Sequence, residues 1–258
     1  MLQLHGVGKT FGSDAGNYVA LRDIDVAIAD GEFFCLLGPS GCGKSTLLNI
    51  MAGFDAASAG SVSFNDDAVV GAGRDRMMFF QDAGCALLPW LTVEENMRFA
   101  LRVRRIPKAT WPAVIKKYLL AVDLDQHRDK FPAQLSGGMR QRLQIARALA
   151  VEPQVLLMDE PFAALDALTR RRMHATLLEI WQQSKKTVVF ITHDIGEALI
   201  LADRVAVMSV GPESRIMKVF DLKSLRPRDL ADSDLRRTAA DIEALLAPEI
   251  DRSEARII

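Results

Sequence analysis

The stretch "GPSGCGKST", residues 38–46, follows the apolar run "FFCLL" at 33–37 and leads into the helical pattern "KSTLLNIMA" at 44–52. A loop with so few side chains leaves its backbone N–H groups free to surround phosphate oxygens. Lys44 would reach the terminal phosphates, Ser45 would ligate magnesium, and the positive N-terminal end of the helix would face the same anion. The alternative is an ordinary glycine-rich turn. The expected nucleotide contacts are Gly38, Pro39, Ser40, Gly41, Cys42, Gly43, Lys44, Ser45 and Thr46.

The composition is that of an ordinary globular protein. The chain has 258 residues, 49% of them hydrophobic and 25% charged, and a net charge of -1. This charge lacks the basic excess of nucleic-acid binders, so no nucleic-acid partner is expected. No apolar stretch approaches the roughly 18 residues of a membrane span, and the N-terminus lacks an apolar signal segment. The three cysteines form no CxxC pair, which argues for a reducing compartment and against a structural zinc site.

Strand and helix patterns predict the fold class. Alternating β-rich runs at 2–7 and 20–29 indicate antiparallel strands with one wet face. After residue 150, apolar strands alternate with helices, which is typical of a parallel sheet covered on both faces. We therefore predict an α/β fold: a P-loop NTPase, RecA-like core with an N-terminal antiparallel β subdomain and an inserted helical subdomain. The expected bounds are about 1–85 and 151–222 for the core, about 86–150 for the helical subdomain, and 223–258 for a helical tail packed on the core.

A second motif, "VLLMDEP" at 155–161, is a buried strand that ends in Asp159 and Glu160. Doubly wound sheets bind their ligands at this carboxyl end of the strands. Asp159 is suited to hold the magnesium shell, and Glu160 to polarise an attacking water as general base. A strand ending in surface acids is the alternative, and the upstream loop at 38–46 favours the catalytic interpretation.

A third motif, "LSGGMRQR" at 135–142, places Ser136 at the start of a helix, followed by Gly137 and Gly138. Each glycine in a first turn costs roughly 1 kcal/mol relative to alanine. Close approach of the backbone to a ligand would explain that cost, because helix N-terminal amides bind anions. A plain helix N-cap is the alternative.

With these motifs the chain resembles the ATP-binding cassette (ABC) family over nearly all of residues 1–222. The family's signature motif ends in Gln, whereas Met139 stands here. The resemblance implies a head-to-tail homodimer that forms on ATP binding. ATP held by Lys44 and Ser45 of one chain would be covered by Ser136, Gly137 and Gly138 of the other chain.

The resemblance also implies roles for single residues. Gln81, at the end of "MMFFQ", looks like the Q-loop glutamine that senses magnesium and the water, and so joins Ser45 and Asp159 as a candidate magnesium ligand, partly through water. His193 in "ITHD" looks like the switch histidine that contacts the γ-phosphate, and Asp166 in "AALD" looks like the D-loop aspartate. Phe11 resembles the aromatic residue that stacks on adenine. Tyr18 is close by, and either aromatic could instead belong to the core.

A narrower resemblance lies in "LLPWLTVEEN" at 87–96 and "DEPFAALDALTR" at 159–170. Both look like the ATPase subunits of bacterial importers for nitrate, aliphatic sulfonates, taurine and related small anions. This implies MgATP hydrolysis at the cytoplasmic face of the inner membrane, a separate transmembrane permease, and a periplasmic binding protein that acts indirectly. We expect the apolar segment Leu87, Leu88, Pro89 and Trp90 to receive a cytoplasmic helix of the permease. The alternative is that Trp90 anchors the core of the helical insertion, since Trp is highly buried on average.

Two other functions share some of these features. A P-loop kinase for a small metabolite would use the same loop, but nothing resembles an acceptor pocket. A soluble cassette protein of chromosome maintenance or translation would resemble long coiled-coil insertions or tandem cassettes, and this chain has one motif set and no heptads. The import ATPase is therefore the favoured interpretation.

Overall fold

A computed structural model describes residues 1–13, 16–80 and 86–254. The chain divides into two compact units, Met1–Gly73 with Thr187–Ile258, and Arg74–Lys186. The helical subdomain predicted at about 86–150 falls within the second unit, which also takes in a strand on either side of it. The predicted domain bounds stay a prediction.

The secondary structure closely follows the sequence patterns. In the described residues, the strands are β1 (Leu2–Ser13), β2 (Gly16–Ile28), β3 (Phe33–Leu37), β4 (Ala59–Phe64), β5 (Asp67–Ala68), β6 (Arg76–Phe79), β7 (Val155–Asp159), β8 (Thr187–Thr192), β9 (Arg204–Met208) and β10 (Ile216–Asp221). The α-helices are α1 (Lys44–Ala52), α2 (Val93–Val103), α3 (Trp111–Ala121), α4 (Gly137–Ala150), α5 (Ala167–Ser184), α6 (Ile195–Leu201) and α7 (Ser233–Glu254).

The first unit contains an antiparallel sheet in the strand order β2-β1-β4-β5. Leu2 of β1 lies opposite both Ile28 and Phe64, so β1 is paired along both edges. Burial alternates along the second half of β2, where Ile24, Val26 and Ile28 are buried between exposed neighbours. This alternation is what a sheet with one face on the core requires, and the predicted antiparallel pairing is confirmed.

The first unit also contains β3, which leads into the loop at 38–46, and the strands beside it. Strand β3 runs parallel to β8 on one side and to β9 on the other, and β10 pairs antiparallel with β9. Every residue of β3 and β8 is buried. Helix α1 packs on β8, and α6 packs on both β3 and β8. The apolar runs thus form buried parallel strands, as predicted, and β10 is a strand that the sequence patterns did not indicate.

The second unit combines one parallel strand pair with helices. Arg76 lies opposite Val155 and Phe79 opposite Met158 in the β6–β7 pair. Helices α2, α3 and α4 pack against one another, and α4 also packs on β6. Helix α2 begins with the predicted capping box, in which Thr92 accepts from the Glu95 N–H and the Glu95 carboxylate accepts from the Thr92 N–H.

After residue 222, the described part of the chain includes the 22-residue helix α7, which packs on α6 and β9 of the first unit. Leu235, Ile242 and Leu246 are buried on one face of this helix. Their spacing matches an amphipathic helix laid on a core, so the tail is part of the first unit.

Gly60 is a position where only glycine fits. Its φ of 73° is left-handed, and an added Cβ would lie 2.3 Å from the carbonyl oxygens of His5 and Gly6 in β1. Gly60→Ala should lower the free energy of unfolding by about 3 kcal/mol. Thermal denaturation should show this as a melting temperature lower by about 6 to 12 °C.

Gly71→Ala is the matched control, since an added Cβ there meets no atom within 4 Å. It should leave the melting temperature unchanged. Equal melting temperatures for both variants would contradict the register of β1 and β4.

Candidate nucleotide-binding site

The loop after β3 depends on three glycines for two different reasons. Gly41 and Gly43 have φ values of 77° and 93°, a left-handed conformation that other residues rarely adopt. Gly38 has no space for a side chain, because an added Cβ would lie 3.0 Å from both the Met208 carbonyl oxygen and the Cys42 sulfur. The loop therefore needs glycine at these three positions, because of its backbone conformation and its packing.

Lys44 lies almost entirely inside this loop, with 5% of its surface exposed. Its ammonium donates hydrogen bonds of 2.8 Å to the carbonyl oxygens of Gly38 and Pro39. Charge-assisted hydrogen bonds of this kind are the stronger ones in proteins. A positive charge is thus held within the curve of the loop.

The N-terminus of α1 offers backbone donors to an anion. Its N-cap residue is Gly43, no side chain caps the helix, and its first turn contains no acidic residue. The first N–H groups of a helix have no intrahelical acceptor, so this end carries partial positive charge. Ser45 is exposed in the first turn, and hydroxyl oxygen is a ligand type that magnesium accepts.

The cysteine within the loop is not a candidate nucleophile. Cys42 is buried, and burial raises the pKa of its thiol, with the charge of Lys44 acting in the opposite direction. Cys35 in β3 is fully buried, and its thiol pKa is raised for the same reason. Both thiols therefore stay protonated near neutral pH, and this site is suited to binding rather than thiol chemistry.

Phe11 and Tyr18 face each other across β1 and β2 as direct cross-strand partners. Their side chains are 43% and 48% exposed, so neither belongs to the core. The Lys9 ammonium lies 5.0 Å from the centroid of the Phe11 ring. The Tyr18 hydroxyl lies 2.9 Å from where a Cβ would stand at Gly211. Cross-strand partners share one face of a sheet, so both aromatics remain available for adenine.

His193 is exposed at the carboxyl end of β8. Because Leu37 and Thr192 are paired in the parallel strands β3 and β8, His193 follows β8 at the same edge where the loop leaves β3. The turn is fixed from both sides. Thr192 donates to the Glu197 carboxylate at 2.7 Å and accepts from the Asp194 N–H at 3.0 Å, while Asp194 caps α6.

Asp159 and Glu160 follow one another at the end of β7 in the second unit, with Asp159 buried and Glu160 partly exposed. Glu160 has a φ of 43°, in the left-handed region that a glutamate rarely occupies. Glu152 and Glu213 also have left-handed φ values, of 43° and 59°, so this conformation does not by itself mark Glu160 as functional. Within the described residues, no three His, Cys, Asp or Glu side chains cluster into a metal site made by protein alone.

Ser136 is the N-cap of α4, as predicted, and its hydroxyl accepts from the Met139 N–H at 3.2 Å. The two glycines that follow differ in their surroundings. A Cβ at Gly138 would lie 3.2 Å from Leu165, whereas a Cβ at Gly137 would meet nothing closer than Arg140 at 4.0 Å. Packing within the described residues thus explains Gly138 and leaves Gly137 facing open space.

Three polar side chains on α4 hold other segments, and sequence reasoning missed all three. Gln141 accepts from the Ala164 N–H at 3.1 Å, Gln144 donates to the Phe80 carbonyl at 3.0 Å, and Arg147 donates to the Ala86 carbonyl. Gln141 and Gln144 are buried, and burial lowers the pKa of the Arg147 guanidinium. The sequence signal for these contacts was a spacing of three residues, which places polar side chains on one face of a helix among apolar positions.

Asp166 is exposed, and its carboxylate caps α5 by accepting from the N–H groups of Leu168 and Thr169 at 3.1 and 3.0 Å. Hydrogen bonds from Thr169, and then from Leu168, lower the pKa of Asp166. Gln81 lies outside the described residues. The roles assigned to Asp166 and Gln81 stay predictions.

Trp90 is 69% exposed, whereas the neighbouring Leu87 is buried. The burial that the core alternative required for Trp90 is therefore not found in the described part of the chain. The buried side chain of Asn96 fixes this turn, since it accepts from the Leu88 N–H and donates to the carbonyls of Leu88 and Leu91 at 3.0 to 3.1 Å.

No helix in the described residues is long and apolar enough to cross a membrane.

Comparison with known proteins gives matches over most of the chain. Residues 21–163 match the family described as ABC transporter. The taurine import ATP-binding protein TauB of Pseudomonas aeruginosa is 44% identical over 98% of this chain and 97% of that protein. The nitrate import ATP-binding protein NrtD of Synechococcus elongatus is 44% identical over 86% of this chain and 81% of that protein. The bicarbonate transport ATP-binding protein CmpD of Synechocystis is 45% identical over 88% of this chain and 81% of that protein.

Solved structures are similar as well. The dimeric ATP-binding cassette MJ0796 in a post-hydrolysis state, bound to ADP and Pi, is 30% identical with a TM-score of 0.76, over 87% of this chain and 100% of that one. A second dimeric structure of MJ0796, described as a bacterial ABC transporter cassette, has a TM-score of 0.78 at 31% identity, again over 87% and 100% of the two chains. The predicted α/β P-loop fold is confirmed.

The contrast between Gly137 and Gly138 can be measured. Gly137→Ala should raise the free energy of unfolding by about 0.5 kcal/mol, because alanine is the better helix former and its methyl group has space. Gly138→Ala should give a less stable protein than Gly137→Ala, because its methyl group crowds Leu165. Chemical denaturation would measure both. A Gly137→Ala protein less stable than the unaltered chain would show that Gly137 is needed for folding rather than for access.

Proposed function

The chain belongs to the ABC transporter family, and we propose that it is the ATP-hydrolysing subunit of a bacterial importer for a small anion such as nitrate, a sulfonate or taurine. The observation that carries this proposal is the 44% identity with a taurine import ATP-binding protein over 98% of the chain. The intact phosphate-binding loop at 38–46 supports it, because that loop is the part of the chain built to hold a nucleotide.

ATP binding rests on the first unit. The uncapped N-terminus of α1 and the ammonium of Lys44 provide donors and positive charge for the phosphates. The exposed aromatic pair Phe11 and Tyr18 provides a surface on which adenine can stack. His193 follows β8 at the edge where the loop leaves β3, which supports a contact with the γ-phosphate.

Hydrolysis needs a base, and Glu160 is the proposed one. Its carboxylate would accept a proton from the attacking water, which is the role that phosphoryl transfer to water asks of such a residue. Ser45, Asp159 and Gln81 would hold magnesium, in part through water, and their oxygens suit this ion. Magnesium, when bound, would supply positive charge against the phosphate oxygens.

The signature residues Ser136, Gly137 and Gly138 would act on the ATP of a second copy of the chain. Gly137 supports this role, because no packing contact in the described residues requires a glycine at this position. The two structures of the cassette MJ0796 to which this chain is similar are both described as dimeric. We therefore expect a head-to-tail homodimer that forms when ATP binds.

Trp90 supports a partner surface for the permease. An indole with 69% exposure, on a turn fixed by the buried Asn96, is typical of residues that become buried against a partner. Such a surface would transmit the conformational change that accompanies ATP hydrolysis to the permease. The chain would work at the cytoplasmic face of the inner membrane, with a periplasmic binding protein delivering the anion to the permease.

The test of hydrolysis is Glu160→Gln, which keeps the shape of the side chain and removes its basicity. ATP binding should persist, hydrolysis should fall by at least about 100-fold, and an ATP-bound dimer should accumulate. Size-exclusion chromatography with MgATP and a phosphate-release assay would measure these effects. Glu179→Gln, an exposed change on α5, is the control and should hydrolyse normally. Turnover that persists in Glu160→Gln would reject the role of Glu160.

The test of the permease surface is Trp90→Ala. This change should leave the melting temperature, ATP binding and basal hydrolysis of the isolated protein unchanged, because the indole packs little on its own chain. Transport by the assembled importer, measured in vesicles, should fall by at least about tenfold. Leu120→Ala, at a leucine that is also exposed in the second unit, should transport normally. A lower melting temperature with unchanged transport per folded molecule would restore the core alternative.

A further inference from the structure

The C-terminal helix α7 reaches the segment that follows β9. Glu249 of α7 is 6% exposed, and its carboxylate accepts a hydrogen bond of 2.7 Å from the Val210 N–H. The other carboxylate oxygen pairs with Arg252 at 2.8 Å. A buried carboxylate is costly unless its oxygens are paired, so Glu249 and Val210 are held together firmly.

Residues 209–214 lie between α7, β2 and the phosphate-binding loop. Glu213 donates its N–H to the Val19 carbonyl at 2.7 Å, and its carboxylate pairs with Arg22 at 2.8 Å. A Cβ added to Gly211 would lie 2.9 Å from the Tyr18 hydroxyl and 3.9 Å from the Gly41 carbonyl. Residues 209–214, which Glu249 holds through Val210, are thus also the residues that lie against Tyr18 and next to the phosphate-binding loop.

Two arginines fix the start of the tail. Arg228 donates to four carbonyl oxygens. Those of Leu199 and Ala202 lie at the end of α6, and those of Leu222 and Ser224 lie a few residues before Arg228 in the chain. Burial, and then repulsion from Arg226, lower the pKa of Arg228 to about 10, so it stays charged at neutral pH. Arg226 pairs with Asp203 at 2.6 Å. The tail is anchored at both ends of its path along the first unit.

From these contacts we propose that α7 is a working part of the nucleotide site, with Glu249 as a positioning residue. Glu249 holds residues 209–214 in place, those residues hold Tyr18 beside the phosphate-binding loop, and Tyr18 sets the affinity for the adenosine end of ATP. This inference deepens the proposed function and rests on it. It predicts that losing the Glu249 contact weakens binding of the adenosine end and leaves binding of the phosphates unchanged.

The experiment uses the full-length chain and two ligands, ATP and inorganic tripolyphosphate, with dissociation constants measured by calorimetry. Glu249→Ala should raise the dissociation constant for ATP by up to about fivefold, because ATP binding must then restore the placement that the Glu249–Val210 hydrogen bond maintained, and leave that for tripolyphosphate unchanged. Glu249→Gln keeps an oxygen that accepts from Val210 and should bind ATP normally. Arg252→Ala removes the ion pair but leaves the hydrogen bond to Val210, and should bind ATP more tightly than Glu249→Ala.

Gly211→Ala provides an independent variant, because its methyl group would displace the end of the Tyr18 side chain without touching α7. It should reproduce the ATP defect of Glu249→Ala, again without affecting tripolyphosphate. Unchanged ATP binding in Glu249→Ala, or an equal loss for both ligands, would overturn the inference and leave α7 with a purely stabilising part. Failure of the unaltered chain to bind ATP would overturn the proposed function, and this inference with it.

Discussion

The ammonium of Lys44, held by the carbonyl oxygens of Gly38 and Pro39, ties the phosphate-binding loop to the helix that follows it. Strand β3 is buried along its whole length and ends beside β8 and β9, which leaves the loop at the carboxyl edge of the strands. The left-handed Gly43 then turns the chain into α1 without a side-chain cap. Positive charge and free helix amides converge at one place as a result, and the candidate site is built around them.

The second unit is organised by α4 in a comparable way. Its N-terminus presents Ser136 and Gly137, and its buried side chains Gln141, Gln144 and Arg147 hold the backbone at Ala164, Phe80 and Ala86. Breaking any of these bonds would leave a buried polar group unpaired, which costs about 1 to 3 kcal/mol. Helix α4 is therefore hydrogen-bonded to the segment after Glu160, at Ala164, and to Phe80 and Ala86. Any displacement of α4 by a partner chain would move those segments or break their hydrogen bonds to α4.

Much of this arrangement could be predicted from local patterns. The bounds of β3 and α1, the caps at Thr92 and Ser136, and the antiparallel pairing of β1 and β2 follow from hydrophobic period and capping chemistry, which act over a few residues. Strand β10 did not stand out, because only one of its six residues is buried and it pairs with β9 alone. The contacts of Gln144 with Phe80 and of Glu249 with Val210 join residues 64 and 39 positions apart, and no local pattern encodes such pairings. The aromatic pair Phe11 and Tyr18 needed the strand register to show that both side chains share one face.

The central claim is that each ATP is held by Lys44 of one chain and covered by Ser136 of another. Mixing two inactive proteins, Lys44→Ala and Ser136→Phe, tests it most directly, because a mixed dimer contains one intact composite site and one that carries both changes. At equal amounts, random pairing should restore about a quarter of the ATPase activity of the unaltered protein if the two sites of the symmetric dimer work independently. Absence of activity at every mixing ratio would contradict the account.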